Sequence, residues 1–518
     1  RRTVALPIPA RAYSSLKTGK AGVIYFLEQT GPAGSGSTDT ALNRFTLKDR
    51  KVEKLADRVA SFELSADGEK MLISTRSGGG DAAPGMPGRP PSWAVVASGT
   101  PVKPGEGGVS FDQLDVRVDP RAEWRQMYAE LFRMQRAYFY DPNFHGSDLA
   151  AVQRQLQPYA DAILARSDLN YVFHEALTGM SVGHLRGSGG AIPSARRVPG
   201  GLLGADYAIT SGRWCISKIY GPTAFSPDVT GPLALPGVNA RVGDCVLSVN
   251  DMPVTADMDI QAALEGTAGR MVVLKLGPAS GVGARDVTVS PIGSETRLRY
   301  LDWIEGNQRK VDQLSGGRLA YVHLPDTGMG GFTSFNRYYF AQSDRQGAVI
   351  DERFNGGGQM ADYVIEVLQR RLQSWWSPRY GAVDRTPAHA VLGPKVMIAN
   401  EVAGSGGDAL PWMFKHNQVG TLVGKRTWGG LVGIGDMPPL MDGGQVTSPN
   451  VGFFSPAGQW EVENAGVAPD VVVDQDPKAV AAGHDPQLET AVAIALRELE
   501  ANPPAEPHRP PYPVYPRR

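Results

Sequence analysis

In Asn400-Glu401-Val402-Ala403-Gly404-Ser405-Gly406-Gly407-Asp408, a glycine-flanked serine follows an apolar strand and precedes a helical pattern. A hydroxyl at such a turn sits beside backbone N–H groups and the positive end of a helix. That setting suits a nucleophile and the oxyanion it creates. Taken alone, the segment also reads as a plain Gly-Ser turn. A second cluster, Asp351-Glu352-Arg353-Phe354-Asn355-Gly356-Gly357-Gly358, likewise lies between a strand and a helix. Three glycines let a backbone approach a ligand closely and turn its amides inward. No Gly-Lys-Ser/Thr follows, which disfavours a phosphate loop.

A serine nucleophile needs a base, and the chain has eight histidines. His184, in Ser181-Val182-Gly183-His184-Leu185-Arg186-Gly187, stands just past a helix in a glycine-rich loop, the kind of segment that carries side chains to sites. His174 lies mid-helix and reads as structural. No histidine pair has metalloprotease spacing, so no metal site is expected, and no cofactor is implied. An imidazole base works best when a carboxylate orients it. Trp460-Glu461-Val462-Glu463-Asn464-Ala465-Gly466 offers two, and strand alternation places Glu461 and Glu463 on one face, so spacing does not choose between them.

The elements that must position these residues change character along the chain. At 518 residues several domains are expected. A net charge of −1 excludes a general electrostatic pull toward nucleic acid or acidic membrane. No apolar run approaches the roughly 18 residues of a membrane span. Cys215 and Cys245 fall in strand-like runs and read as two small buried hydrophobes. The N-terminus carries neither an initiator Met nor an apolar signal core, so it reads as a fragment or processed end.

Residues 1–100 read as β structure, with strands over 23–27 and 43–47 and a hairpin over 61–73 turning at Asp67-Gly68. Such hairpins resemble propeller blades. About two would fit, fewer than the four or more a ring needs, so this part reads as the end of something larger. Residues 78–91, rich in Gly and Pro, read as a loop. Over 101–198 the period turns helical: Trp124, Met127, Tyr128, Leu131, Phe132 and Tyr138 mark one face. A second helix follows Asp148 and a third ends at Gly179. Residues 199–292 alternate short strands with one helix. From 293 to 500 strands at 319–323, 348–351, 395–400 and 421–423 alternate with helices, predicting a largely parallel sheet. Asp485 caps and Pro486 opens a closing helix striped by Leu488, Ala491, Val492, Ala495, Leu496 and Leu499. Residues 501–518 hold seven prolines and read as an extended tail.

The glycine and serine clusters, followed by Gly424-Lys425-Arg426-Thr427-Trp428-Gly429-Gly430 and Val462-Glu463-Asn464-Ala465-Gly466-Val467-Ala468-Pro469-Asp470, resemble the tricorn proteases, within the wider group of C-terminal-processing serine peptidases. The resemblance covers nearly all of residues 100–500. It implies a multidomain α+β chain: a partial β-propeller remnant (1–100), a helical core domain carrying the histidine (101–198), a PDZ-like β domain (199–292), and an α/β core of Clp-protease/crotonase type (293–500). It also implies roles. Ser405 matches the nucleophile, His184 the base and Glu463, rather than Glu461, the distal acid, while the amides of Gly358 and Gly406 match the oxyanion hole. Gly201-Leu202-Leu203-Gly204 looks like a PDZ loop that receives a peptide carboxylate.

Two departures stand out. The archetype has a serine directly before the histidine, where this chain has Gly183; Ser181 or a water is the expected substitute relay. The archetype also has an acid before a Pro-Arg pair that favours a basic P1 side chain. Trp376 stands at about that place, which predicts an apolar or aromatic P1. The expected activity is a serine endopeptidase degrading oligopeptides. The alternatives are tail-specific processing of protein C-termini or a catalytically dead PDZ-bearing scaffold. The expected partners are peptides and further copies of the chain, hexameric by resemblance. The expected location is the cytoplasm, with periplasm or secretion open because of the missing N-terminus.

Overall fold

Alternating apolar residues build two consecutive antiparallel meanders in the part of the chain spanning Arg1–Val118. Strands Tyr13–Thr18, Val23–Gln29, Thr40–Thr46 and Lys51–Asp57 pair in chain order, and Val59–Leu64, Lys70–Thr75, Ser92–Ala97 and Gly108–Val109 form a second four-stranded sheet. Leu27, Leu42, Phe62, Met71 and Ile73 share one buried cluster. The computed structural model describes residues 6–30, 40–75, 92–103, 105–111, 114–193, 195, 197–224 and 226–516. The loop expected at 78–91 lies outside the described residues.

The second part, Asp119–Arg518, begins with three helices, Pro120–Tyr138, Leu149–Ala162 and Arg166–Thr178. The side chains of Asp119 and Asp148 accept the amides of Ala122 and Ala151, so each starts a helix as an N-cap should. The first helix buries Met127, Tyr128, Leu131 and Phe132. Tyr138, expected on that face, is exposed because the helix ends there. An antiparallel sheet follows, with strands Ala205–Thr210, Arg213–Ile219, Cys245–Val249, Val272–Gly277 and Arg285–Val289 in chain order and helix Ile260–Ala263 before the fourth. Cys215 and Cys245 face each other across it and form a disulfide, not the two separate buried thiols expected.

The core is a five-stranded sheet in the order Leu319–His323, Gly347–Asp351, Lys395–Ala399, Thr421–Gly424, Val471–Val472, with every neighbouring pair parallel. The first three strands are buried throughout, as their unbroken apolar runs demand. Helices Thr296–Ser315 and Pro486–Ala501 pack on each other and on this sheet, and helices Ala361–Leu368 and Gly406–His416 pack together as well. Asp485 accepts the Leu488 amide at 3.0 Å, capping the closing helix. Buried Arg353 ties that cap to the glycine loop: its guanidinium bonds both oxygens of Asp351 and both of Asp485, at 2.7–3.0 Å.

Candidate active site

The strand Lys395–Ala399 delivers the chain to Ser405, whose backbone has φ 58° and ψ −117°. A non-glycine residue held there is strained, and such strain persists only where surrounding contacts impose it. Asp408, fully buried, supplies them. Its carboxylate accepts the amides of Ser405 (2.9 Å), Gly429 (2.8 Å) and Gly430 (3.1 Å) and the Thr427 hydroxyl. One acid thus locks the serine turn to the 427–430 segment. Sequence reading passed over Asp408, although an acid three residues after a serine that opens a helix is a recognisable capping signal.

The glycine loop closes on the same turn. A Cβ on Gly357 would lie 2.7 Å from Ser405 Cβ, and one on Gly406 would lie 2.6 Å from the Gly358 nitrogen, so only glycine fits. Among the described residues, the amides of Gly358 and Gly406 donate to no protein acceptor. Two unpaired N–H groups at a helix start, beside a serine, are what an oxyanion needs. The Thr327 hydroxyl, buried without a partner, lies against Gly406.

His184 reaches this region because its loop docks on the core. Residues Gly187–Ser188 pair with Gln445–Val446. Thr447 exchanges hydrogen bonds with Arg186 at 2.9 Å, and Arg166 forms a buried ion pair with Asp442. The Trp428 indole stands between the loops. A Cβ on Gly404 would touch it at 2.5 Å and one on Gly183 at 3.1 Å, and its ring meets His184 edge-to-face at 5.4 Å. Gly183 therefore leaves room for Trp428.

Glu463 holds the histidine loop from below. Its Oε1 accepts the Gly183 amide at 2.8 Å, and its Oε2 accepts the amides of Leu431 and Val432 at 2.7 Å. Asn464 adds a bond from its side-chain amide to the Ser181 carbonyl. The segment does not run as a strand: Val462 and Asn464 have φ of 75° and 61°, so the chain turns between the two glutamates. Glu461 points elsewhere and accepts the Trp412 indole N–H at 2.7 Å. The Ser181 hydroxyl makes one weak bond, to the Thr178 carbonyl at 3.5 Å, and does not bridge His184 to Glu463. The relay expected from it is absent because residue 181 itself turns, with φ 50°, before the loop reaches the histidine.

Electrostatics sharpen the assignment. Burial pushes the His184 imidazole below its ordinary 6.5, a shift that Val432's backbone and Glu463 only partly offset, and Nδ1 is buried without a partner. A neutral base survives into acid, so the acid limb of kcat/KM for peptide hydrolysis should fall below pH 6.5. A limb centred at pH 7 or above would contradict the assignment of His184. Glu352 is different. It is fully buried, both oxygens lack partners, and burial, then Asp408 and Asp351, raise it well above the carboxylate range. The folded chain therefore holds a proton there that the unfolded chain releases above about pH 4.5, and stability should fall with rising pH by up to ~1.4 kcal/mol per unit. Glu352→Gln should abolish that decline, read as urea midpoints at pH 5 and pH 8. An unchanged slope would mean that Glu352 is ionised.

Two expected sites are not assembled. In the loop Gly201-Leu202-Leu203-Gly204, the Gly201 amide donates to Leu264 O and the Leu202 amide to Ile292 O, both at 2.8 Å. The Gly204 amide donates to buried Glu295 at 2.6 Å. Three of four amides are thus spent inside the fold, one on an internal carboxylate, leaving no cradle for a peptide terminus. Trp376 lies on a separate hairpin, Ser374–Trp376 with Asp384–Thr386, is 64% exposed, and donates its indole N–H to Thr386. No described contact joins it to Ser405 or His184. The residue paired with it is Asp384, an acid the sequence reading overlooked, so an apolar P1 preference no longer follows.

Three family models match in order: the Tricorn protease C1 domain over residues 120–178, the Tricorn protease PDZ domain over 201–294, and Peptidase family S41 over 318–473. The chain is similar to Tricorn protease homolog 1 of Streptomyces coelicolor, 35% identical over 97% of this chain and 47% of that protein. It is likewise similar to the putative Tricorn-like protease C-terminal subunit of Sulfurisphaera tokodaii, 31% identical over 96% of this chain and 57% of the relative. A crystal structure of the tricorn protease superposes with a TM-score of 0.82 at 26% identity, covering 94% of this chain and 46% of the other. The chain spans about half the length of these relatives. Carrying their C1, PDZ and S41 peptidase domains in order and related to them along nearly its whole length, the chain belongs with the tricorn proteases.

Proposed function

We propose that the chain is a serine endopeptidase that cleaves oligopeptides through an acyl-enzyme. The observation that carries this reading is the strained Ser405 turn beside two unpaired glycine amides, with buried His184 across Trp428. Ser405 Oγ attacks the scissile carbonyl while His184 takes its proton, and the amides of Gly358 and Gly406 receive the oxyanion. The C–N bond then breaks, and His184 returns the proton to the leaving amine. Water, deprotonated by His184, hydrolyses the ester and frees Ser405. Glu463 acts as a positioning residue. Its charge favours the imidazolium, and by accepting hydrogen bonds from the Gly183, Leu431 and Val432 amides it ties the loop that carries His184 to the 431–432 segment.

In this reading the two meanders before Val118 are the last blades of a propeller, the parallel sheet is of Clp-protease/crotonase type, and copies of the chain assemble into an oligomer. The engaged 201–204 loop counts against tail-specific processing, which needs a seat for a protein's terminal carboxylate. No helix among the described residues is long and apolar enough to cross a membrane. The Cys215–Cys245 disulfide favours an oxidising compartment over the cytoplasm that the resemblance implies. The test offers an unstructured oligopeptide together with a folded protein bearing an unstructured C-terminal tail. Degradation of the oligopeptide with the tail left intact is expected. Preferential removal of the tail would overturn the substrate class.

A further inference from the structure

The N-terminal end of the parallel strands, opposite the end that leads to Ser405, takes no part in this chemistry, yet it holds a cavity of about 390 Å3. Strand Lys395–Ala399 connects the two poles: its last residue leads to the serine turn, and its first lines the cavity. Lys395 is 7% exposed, and among the described residues no carboxylate pairs with its ammonium and no acceptor meets it. Taking a charge out of water without a counter-charge is costly, and burial accordingly draws this amine down to about 8. The sheet does not require a lysine there. Val396, Met397, Ile398 and Ala399 continue the strand as buried apolar residues, and an apolar residue at 395 would extend the run.

The rest of the lining repeats the pattern. Arg370 and Arg371 border the cavity, no Asp or Glu does, and neither guanidinium has an ion pair among the described residues. Arg370 rests instead over the Phe340 ring at 5.9 Å. On the closing helix, Glu498 accepts the Thr421 hydroxyl at 2.7 Å, and Glu500 lies 3.9 Å from Arg318. Between the cations, Leu368, Leu392 and Val419 supply apolar wall. Positive charge deep in a partly apolar recess lacks its complement within the chain, and a ligand would supply it.

We propose that this cavity binds a small organic monoanion, a carboxylate on a short apolar body. The acid group sits against Lys395, and the body lies along Leu368, Leu392 and Val419. Arg370 is half-buried and Arg371 exposed, so water already screens them; Lys395 is the one buried cation, and a single negative charge balances it, which selects a carboxylate over a phosphate dianion. Fatty acids of short chain and peptides with a free C-terminal carboxylate share this chemistry.

Calorimetric titration of the full chain tests it, with hexanoate and N-acetyl-leucine as probes and hexanamide and inorganic phosphate as controls. At least one carboxylate should bind saturably, at least tenfold more tightly than hexanamide or phosphate. Which probe binds better tells the fatty acid source from the peptide source. Lys395→Met keeps the volume and drops the charge, and it should weaken carboxylate binding at least tenfold while peptide hydrolysis stays at the wild-type rate. On the wild-type chain alone, the bound carboxylate should slow acetylation of Lys395 by acetic anhydride at least threefold, read by mass spectrometry of the Lys395 peptide. The proposal is overturned if neither carboxylate binds, if hexanamide or phosphate binds as tightly, if Lys395→Met binds undiminished, or if acetylation is not slowed.

Discussion

Ser405→Ala should remove peptidase activity by on the order of 10⁴-fold while leaving the fold intact. The effect is large because in the proposed mechanism the Ser405 hydroxyl is the attacking group, and the neighbouring Thr327 hydroxyl is fully buried, out of a substrate's reach. The fold should persist because the turn is held through backbone atoms. Asp408 accepts the Ser405 amide, and Asp408's own amide donates to the Ser405 carbonyl at 2.8 Å. Alanine keeps both bonds. Residual turnover of a tenth of wild type, measured as kcat on one peptide with matched circular dichroism, would remove Ser405 from the chemistry.

The second large effect separates two glutamates that stand two residues apart. Glu463→Gln leaves an amide that offers one acceptor oxygen where the carboxylate offered two, while three backbone donors still need partners. The loop carrying His184 should shift, and a displacement near 1 Å at a reacting group costs on the order of 10²-fold in rate. Loss of the negative charge also lowers the imidazole further, so the acid limb of the pH profile should move down with the rate. Glu461→Gln loses only a contact to the Trp412 indole on the exposed side of the turn and should change kcat less than about twofold. Equal losses in the two variants would show that the wrong acid holds the base.

This contrast also marks how far the sequence carries. Four of the five parallel strands and the Asp485-capped helix are legible in unbroken apolar runs and cap chemistry, which are local properties. The fifth strand, Val471–Val472, is two residues long and leaves no periodic signal. The motifs and their order single out Ser405, His184 and Glu463 as candidates, but alternation misplaces Glu461 because it assumes a strand where Val462 turns. The remaining misreadings are long-range. Cys215 meets Cys245 across strands, the Gly204 amide is taken by Glu295 from 91 residues away, and Trp428 wedges between the loops of Gly183 and Gly404. Each depends on tertiary placement, which neither propensity nor spacing encodes. Asp408 was within reach, since its distance from Ser405 is that of a helix cap.

The central claim is that Ser405 is a nucleophile activated by His184. It is tested most directly by treating the chain with a fluorophosphonate and mapping the adduct by mass spectrometry. The account predicts one phosphonyl group per chain, on Ser405, forming at least 10²-fold more slowly in His184→Ala. Labelling on another residue, or labelling of Ser405 at an unchanged rate without His184, would contradict it.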